Sequence, residues 1–336
     1  MPNSRSSKIF LTAGLLLAVS FSISLNAAAQ QKWINVSADY GPLPSTVQVF
    51  KTNDSLDGKP FIASYVKAKL KDKNLDFTTD TTLGRRLTPA QFYKKNEQPL
   101  VVVNCTFFSY ETNRSLNVVI KKGELLGYNI HSIPMRGKDT FQYRHPFVSA
   151  IGIDKKRNAD VAWIYTDSSG KFPYASQRSI MPMKDSMNYF QYFIKKMTYS
   201  YLHSKKSTRY FKKWKMKTAV GGGPALVQNG AKQITNEEEL KFTGKAINDK
   251  HPRTCMGYTK DGYLIIMAIE GRFPGIAEGA TLEQEARLLI DLGCIEALNL
   301  DGGGSSCLLV NGKETIKPST NGEERPVPAV FIIAKK

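Results

Sequence analysis

The apolar and polar positions of this chain break it into many short strand-like segments and few helical ones. Val47 to Phe50 and Ile62 to Leu70 alternate as strands do. Pro99 to Val103 is an unbroken apolar run, read as a buried strand, that leads into Asn104-Cys105-Thr106-Phe107-Phe108. Leu116 to Lys121, Phe147 to Ile153 and Ala162 to Thr166 are further predicted strands. Two segments carry helix signals instead. Thr88 stands as an N-cap before Pro89 at the head of Thr88 to Asn96. Thr281, with Gln284 three residues on, makes a capping-box pattern, and Leu282, Ala286, Leu289 and Ile290 keep helical spacing up to Gly293.

The C-terminal half is more sharply punctuated. Thr218 to Val220 meets Gly221-Gly222-Gly223-Pro224, then Ala225 to Gln228, then the hairpin dipeptide Asn229-Gly230. The strand Tyr263 to Ile269 ends at Glu270-Gly271-Arg272. The strand Glu296 to Leu300 enters Asp301-Gly302-Gly303-Gly304-Ser305-Ser306, followed by Leu308 to Val310 and Asn311-Gly312. Both glycine runs thus follow one plan: strand, three glycines, strand, Asn-Gly. Short strands without a regular strand-helix alternation predict an α+β fold. The expected architecture is a mixed, largely antiparallel β-sheet core with a few packed helices, in a single domain.

One stretch departs from this pattern. Residues 168–217 crowd lysines with aromatics, as in Lys195, Lys196, Lys212 and Lys213 with Tyr199, Tyr210 and Trp214. Such interleaving can bind nucleic acid or anionic sugars. No nucleic-acid-binding motif accompanies it, so it is read as a basic insertion with a solvated amphipathic face, and no nucleic-acid partner is expected.

The N-terminus changes the compartment. Arg5 and Lys8 precede an apolar run from Ile9 to about Leu25, and Ala27-Ala28-Ala29 supplies small residues. This is the order of a cleavable signal peptide, residues 1–29, which leaves residues 30–336 as the domain and predicts export to the periplasm or the medium. The longest later apolar runs, Gly262 to Ile269 and Val327 to Ala334, are strand-sized, so no membrane span is expected after signal removal. The formal charge of +18 falls to about +16 without Arg5 and Lys8, a surplus that favours anionic partners or serves solubility.

The candidate chemistry sits at the glycine runs. Cys105, Cys255, Cys294 and Cys307 form no CxxC pair and read as buried core thiols. The histidines form no HExxH, the P-loop and GxGxxG patterns are absent, and Cys307 stands where a GxSxG elbow around Ser305 would need glycine. Three glycines after a buried strand let the backbone approach a ligand and offer successive N–H groups to an anion. Ser305 and Ser306 add hydroxyls, and Asp301 enters the same turn as an acid, base or ligand. Arg253, Arg272 and Arg325 adjoin the turn residues Pro252, Gly271 and Pro326, where arginine suits bidentate phosphate binding; surface salt bridging is the ordinary alternative. Glu270 and Glu285 are candidate carboxylate partners for Asp301, since glycosyl cleavage usually takes two carboxyl groups.

Ala297-Leu298-Asn299-Leu300-Asp301-Gly302-Gly303-Gly304-Ser305-Ser306, followed by Val310-Asn311-Gly312 and Glu324-Arg325-Pro326, resembles the phosphodiester glycosidase domain family. The likeness also takes in Asn104 to Phe108, Gly222 to Gly230, His251 to Gly257 and Glu270 to Arg272. It runs from about Val47 to the C-terminus with the basic insertion outside it. That family includes the lysosomal uncovering enzyme, which removes N-acetylglucosamine from a phosphodiester on mannose. Three motifs depart from the family pattern: Asn104-Cys105-Thr106-Phe107-Phe108 replaces Asn-Gly-Gly-Phe-Phe, Glu270-Gly271-Arg272 replaces Asp-Gly-Arg, and Cys307 stands where the family often has threonine.

The resemblance implies a hydrolase that splits a sugar-1-phosphate diester at the glycosyl C1–O bond. Gly302, Gly303, Gly304, Ser305, Ser306 and Arg253 would hold the phosphate, with Arg272 nearby. Asp301, helped by Glu270 or Glu285, would stabilise the oxocarbenium-like centre or activate water, and Asn104 and Arg325 would orient sugar or phosphate. The implied partner is a phosphodiester-containing glycan. The alternatives are a non-catalytic binder of anionic surface or exopolysaccharide glycans, and a glycosyl transferase on the same site. No cofactor is required by the sequence; a divalent metal at Asp301 and the oligomeric state are left open. The intact mass of the exported protein should correspond to a chain beginning at Gln30, and a mass retaining the first 29 residues would remove the signal-peptide reading.

Overall fold

A computed structural model of the protein describes residues 30–188 and 211–336. The predicted signal peptide, 1–29, and residues 189–210 of the basic stretch lie outside the described residues. Gln31–Lys336 form one compact unit. Among the described residues all paired strands are antiparallel, and the α+β architecture expected from the pattern is the one observed. No helix among the described residues is long and apolar enough to cross a membrane.

Three sheets close on one core. The largest has eight strands, with Ala63–Lys69, Tyr263–Ile269, Arg253–Thr259 and Cys294–Asn299 side by side at its centre. A five-stranded sheet places Val101–Asn104 between Leu308–Val310 and Ala329–Lys335. A seven-stranded sheet centres on Ala159–Tyr165, Val148–Asp154 and Met216–Gly221. Inward side chains from all three meet in a single cluster that includes Val66, Met256, Leu298, Val103, Phe331, Ile151 and Val220.

The central sheet is buried on both faces, which explains its apolar runs. In Tyr263–Ile269, Leu264, Ile266 and Ala268 face the shared core. Ile265, Met267 and Ile269 face the helix Leu282–Asp291 on the other side. Two-sided burial removes the polar half of the usual alternation. The helix covers that second face because its capping box is formed as predicted: Thr281 Oγ1 accepts from Gln284 N and Gln284 Oε1 accepts from Thr281 N. The helix Pro89–Lys95 is capped the same way by Thr88 and Gln91 and packs Phe92 onto the five-stranded sheet.

The Asn-Gly dipeptides at 229–230 and 311–312 turn hairpins, with positive φ at Asn229 and Gly230 and at Asn311 and Gly312. Two strands are not announced by apolar pattern. Leu75–Thr81 carries aspartates and threonines, and Arg253–Thr259 reads Arg-Thr-Cys-Met-Gly-Tyr-Thr. Arg253–Thr259 is a strand because it pairs along both edges, with Tyr263–Ile269 and Cys294–Asn299. The described ends of the 168–217 stretch pair within the seven-stranded sheet, where Tyr174–Ser176 and Lys212–Lys213 form its edge, and Trp214 is buried against Gly152.

Phe331 is 1% exposed and touches the core where the sheets meet. Phe331→Ala should cost about 3–5 kcal/mol and lower the urea midpoint without changing the denaturant slope; a midpoint unchanged within error would contradict this account of the core.

Candidate active site

The site begins where Cys294–Asn299 runs out of the central sheet. Leu300 is anchored by its N–H to Thr254 O, and Asp301 N–H donates 2.8 Å to Cys105 O on the five-stranded sheet. The chain therefore crosses from one sheet to the next at Asp301. Asn104 fixes the crossing. Its Nδ2 donates to Asp301 O at 2.6 Å, and its Oδ1 accepts from Thr254 Oγ1 at 2.9 Å and from Cys307 N at 3.0 Å. Asn104 is fully buried, so the structure places it as the peg of the turn, beneath any ligand.

The glycines then admit two cations. The Arg325 guanidinium and Thr320 Oγ1 occupy the space a Cβ on Gly304 would fill, and the Arg272 guanidinium lies over Gly303, its Nη2 standing 3.0 Å from a Cβ placed there. A third cation arrives from the other glycine run. Gly223 has φ +105, and the space beside its Cα is taken by the Glu239 carboxylate and the Lys241 stem. The two glycine runs touch, since a Cβ on Gly222 would strike Asn299 O and Leu300. Among the described residues none of Lys241, Arg272 and Arg325 forms an ion pair.

Lys241 and Glu239 are the residues that sequence reasoning missed. Glu239 is 1% exposed, and its carboxylate accepts from Ser149 N and Oγ, Trp163 Nε1, Ala225 N and Thr235 Oγ1. These donors come from the central and seven-stranded sheets and lock the short helix Asn236–Glu239. Leu240 then turns left-handed, with φ 53°, and directs Lys241 into the site. The Lys241 ammonium stands 4.7 Å from the Phe107 ring centre, Phe107 meets Phe242 edge-on at 6.1 Å, and Arg253 lies over Phe242 at 5.3 Å. In sequence the only signal was Asn-Glu-Glu-Glu-Leu-Lys, which looks like a solvated charge run.

The electrostatics follow from burial. Oδ2 of Asp301 and the hydroxyls of Ser305 and Ser306 are buried and complete no hydrogen bond among the described residues. Burial pushes the Asp301 carboxyl up to about 7, against the pull of Ser305, Arg325, the Gly302 N–H and Lys241. Burial pushes Lys241 down to about 8, against Glu239 and Asp301. The His251 imidazole is lowered by burial and by the neighbouring charges of Arg253 and Arg272.

The remaining sequence candidates stand further back. Arg253 is 2% exposed and donates from Nε to Ala280 O and from Nη2 to Asp249 O, so its guanidinium is held beneath the turn. Glu285 projects from the helix Leu282–Asp291 onto the same face of the central sheet, beside Arg253 and Cys255, and is not brought to Asp301. Its two oxygens are buried without hydrogen bonds among the described residues, and burial raises it to about 7. Glu270 accepts Lys317 N at 2.9 Å and so holds the segment that carries Thr320 to Gly304. All four cysteines are free and buried, as read from sequence. Among the described residues no three His, Cys, Asp or Glu side chains converge in a metal-holding group.

An exit from a central antiparallel strand into a glycine turn brings together one half-buried acid and three cations that form no ion pair among the described residues, an arrangement able to receive an anion. Residues 195–334 match the family model of the phosphodiester glycosidases, in agreement with the motif resemblance. The chain is 42% identical over 88 residues to the SPbeta prophage-derived uncharacterized protein YomE of Bacillus subtilis, covering 26% of this chain and 13% of that protein. It is 30% identical over 107 residues to N-acetylglucosamine-1-phosphodiester alpha-N-acetylglucosaminidase of Homo sapiens, covering 30% of this chain and 20% of the enzyme. The aligned segments thus span a fifth or less of these curated relatives. In fold, the chain superposes on the zebrafish catalytic domain of that enzyme, auto-inhibited by its pro-peptide, with TM-score 0.53 and 17% identity over 91% of this chain and 89% of that one. A hypothetical protein from Synechocystis gives TM-score 0.56 and 16% identity over 87% of this chain and 62% of that one.

Asp301 is ordinarily ionised above about 4, and the folded protein holds its proton to about 7. Folding therefore favours the protonated acid, and stability falls as pH rises across that interval. Asp301→Asn should raise Tm relative to the parent by on the order of 5 °C at pH 8 and by much less at pH 4. The same sign holds for Glu285→Gln. Equal melting shifts at both pH values would show that neither carboxyl is strained by burial.

Proposed function

We propose that the protein is an exported hydrolase that cleaves a sugar-1-phosphate diester at the glycosyl C1–O bond and releases free sugar and a phosphomonoester. The observation that carries this reading is the Asp301 carboxylate, with one buried oxygen left unpartnered, in a turn flanked by Lys241, Arg272 and Arg325. The family match and the likeness to the N-acetylglucosamine-1-phosphodiester enzymes support the substrate class.

The chemistry needs only one acid–base residue. Arg272, Arg325, Lys241 and the N–H groups of the glycine turn neutralise the phosphate and draw electrons toward it. The C1–O bond breaks with its electron pair on the phosphate oxygen, which leaves as an anion and needs no strong acid. Ionised Asp301 accepts a proton from the water that attacks C1, and passes it to solvent after the sugar departs. Asn104 and Glu270 act by position, one under the turn and one behind Thr320. Side-chain cations supply the charge neutralisation in this scheme, so hydrolysis should persist in EDTA.

Turnover of an N-acetylglucosamine phosphodiester should rise through about pH 7 as Asp301 ionises and fall above about 8 as Lys241 loses its proton. Asp301→Asn should lower kcat by about 10³-fold or more, and Lys241→Gln should abolish the alkaline limb. Undiminished turnover by Asp301→Asn would remove its assigned role. Saturable binding of anionic glycan with no release of sugar would make the protein a binder, and release only with an added sugar acceptor would make it a transferase.

A further inference from the structure

The end of the molecule remote from Asp301 carries a second concentration of charge. Strand direction sets its place. Ala329–Lys335 runs from Val330, opposite Asn104, to Lys335, opposite Leu75. Val148–Asp154 runs from Ser149, bonded to Glu239, to Asp154, opposite Met216. At about 3.3 Å per residue these strands separate their two ends by about 17 Å.

At the remote end the turns are bonded to one another. Leu70 N–H donates to Gly262 O, Gly123 N–H to Lys217 O, Lys336 N–H to Asn74 O, and Lys71 Nζ to Lys156 O. Arg157 fixes the floor, donating to the carbonyls of Leu70 and Leu75 with its guanidinium over the Phe77 ring. The result is a concavity of about 310 Å³ that Lys122, Lys155, Arg157, Lys217 and Lys336 share with Asp76 and Asp154. These acids do not cancel the charge. Asp154 accepts from Asn158 N and Nδ2, Asp76 pairs with Lys217, and nearby Asp72 accepts from Thr46 and Asn74. Lys122, Lys155 and Lys336 form no ion pair among the described residues. Carbonyls and a ring that organise a fixed guanidinium, with lysine ammonium groups around it, make a concave and pre-arranged surface for anions.

We propose that this basic pole is a second binding site, which takes a phosphate-bearing anionic polymer whose reacting end occupies the Asp301 turn. Lysine ammonium groups are point charges and read charge density rather than planar shape, which favours closely spaced phosphates over sparse carboxylates. A single small diester cannot bridge about 17 Å between the sites, whereas a polymer can, and its second contact becomes intramolecular. The polymer's engagement with the turn rests on the proposed hydrolase reading; binding at the pole does not.

The test uses Lys122→Glu/Lys155→Glu, two exposed turn positions with no side-chain bonds among the described residues. In an Asp301→Asn background, binding to poly(glycerol phosphate) is measured at low and raised salt. In the native background, turnover of a small N-acetylglucosamine phosphodiester is measured beside it. The double variant should bind the polymer at least about tenfold more weakly at low salt, with the difference shrinking in salt, and should keep full turnover of the small diester. Equal polymer binding by the variant would overturn the pole, as would binding lost through Lys241→Gln alone. Preference for anionic lipid vesicles over the polymer at equal charge would replace the polymer by a membrane surface and overturn the proposal. Polymer binding that depends on Lys122 and Lys155, with no turnover of any diester, would uphold the pole and sink the hydrolase reading.

Discussion

The site depends on one buried amide. Asn104 ends a strand of the five-stranded sheet, yet its side chain bonds the Asp301 carbonyl, the Thr254 hydroxyl and the Cys307 N–H. Those partners lie on the exit of the central sheet, on a central strand and on the return of the turn. A buried polar group left unpaired costs more than a bond contributes, so the three segments are held in one mutual position or all are penalised. Aspartate, leucine or glycine at 104 could not supply a donor and an acceptor on opposite sides of one plane. The turn inherits its shape from this constraint, and the acid inherits its place from the turn.

Glu239 plays the matching role on the other side. A carboxylate that collects donors from two sheets is stable in the interior only because every lone pair is engaged. It fixes a left-handed residue and, through it, Lys241. Asp301 stands in contrast, half-buried, with its Oδ2 shut away from solvent and outside the well-formed hydrogen bonds of the described residues. Glu239 braces the frame, while the fold favours Asp301 in its protonated form and makes its ionised form costly.

The departures from the family pattern take on meaning in this frame. Cys105 and Cys307 are buried on either side of the Asn104 bonds, where a small apolar side chain completes the packing around the peg. Glu270, one methylene longer than the family aspartate, reaches the Lys317 N–H and so braces the segment that covers Gly304. Identities of 16% and 17% to solved relatives are compatible with this, because the fold needs apolar period and turn chemistry at many positions but specific side chains at few.

The sequence by itself determined what is local. Capping boxes at Thr88 and Thr281, hairpins at Asn229-Gly230 and Asn311-Gly312, and the doubly buried run Tyr263–Ile269 are set by neighbours in the chain, so periodicity and turn residues reveal them. The Asp301 turn was legible for the same reason, since its glycines, serines and acid are consecutive. Only the tertiary structure decided which distant side chains meet there. Lys241 lies 60 residues away and reaches the turn through Glu239, whose donors are spread from Ser149 to Thr235. Arg253 and Glu285 share an apolar face with the helix instead of the turn, because alternation along Arg253–Thr259 points odd-numbered residues toward Leu282–Asp291 and even-numbered ones toward the core. A strand's face is fixed by its pairing partners, and those partners are remote in sequence.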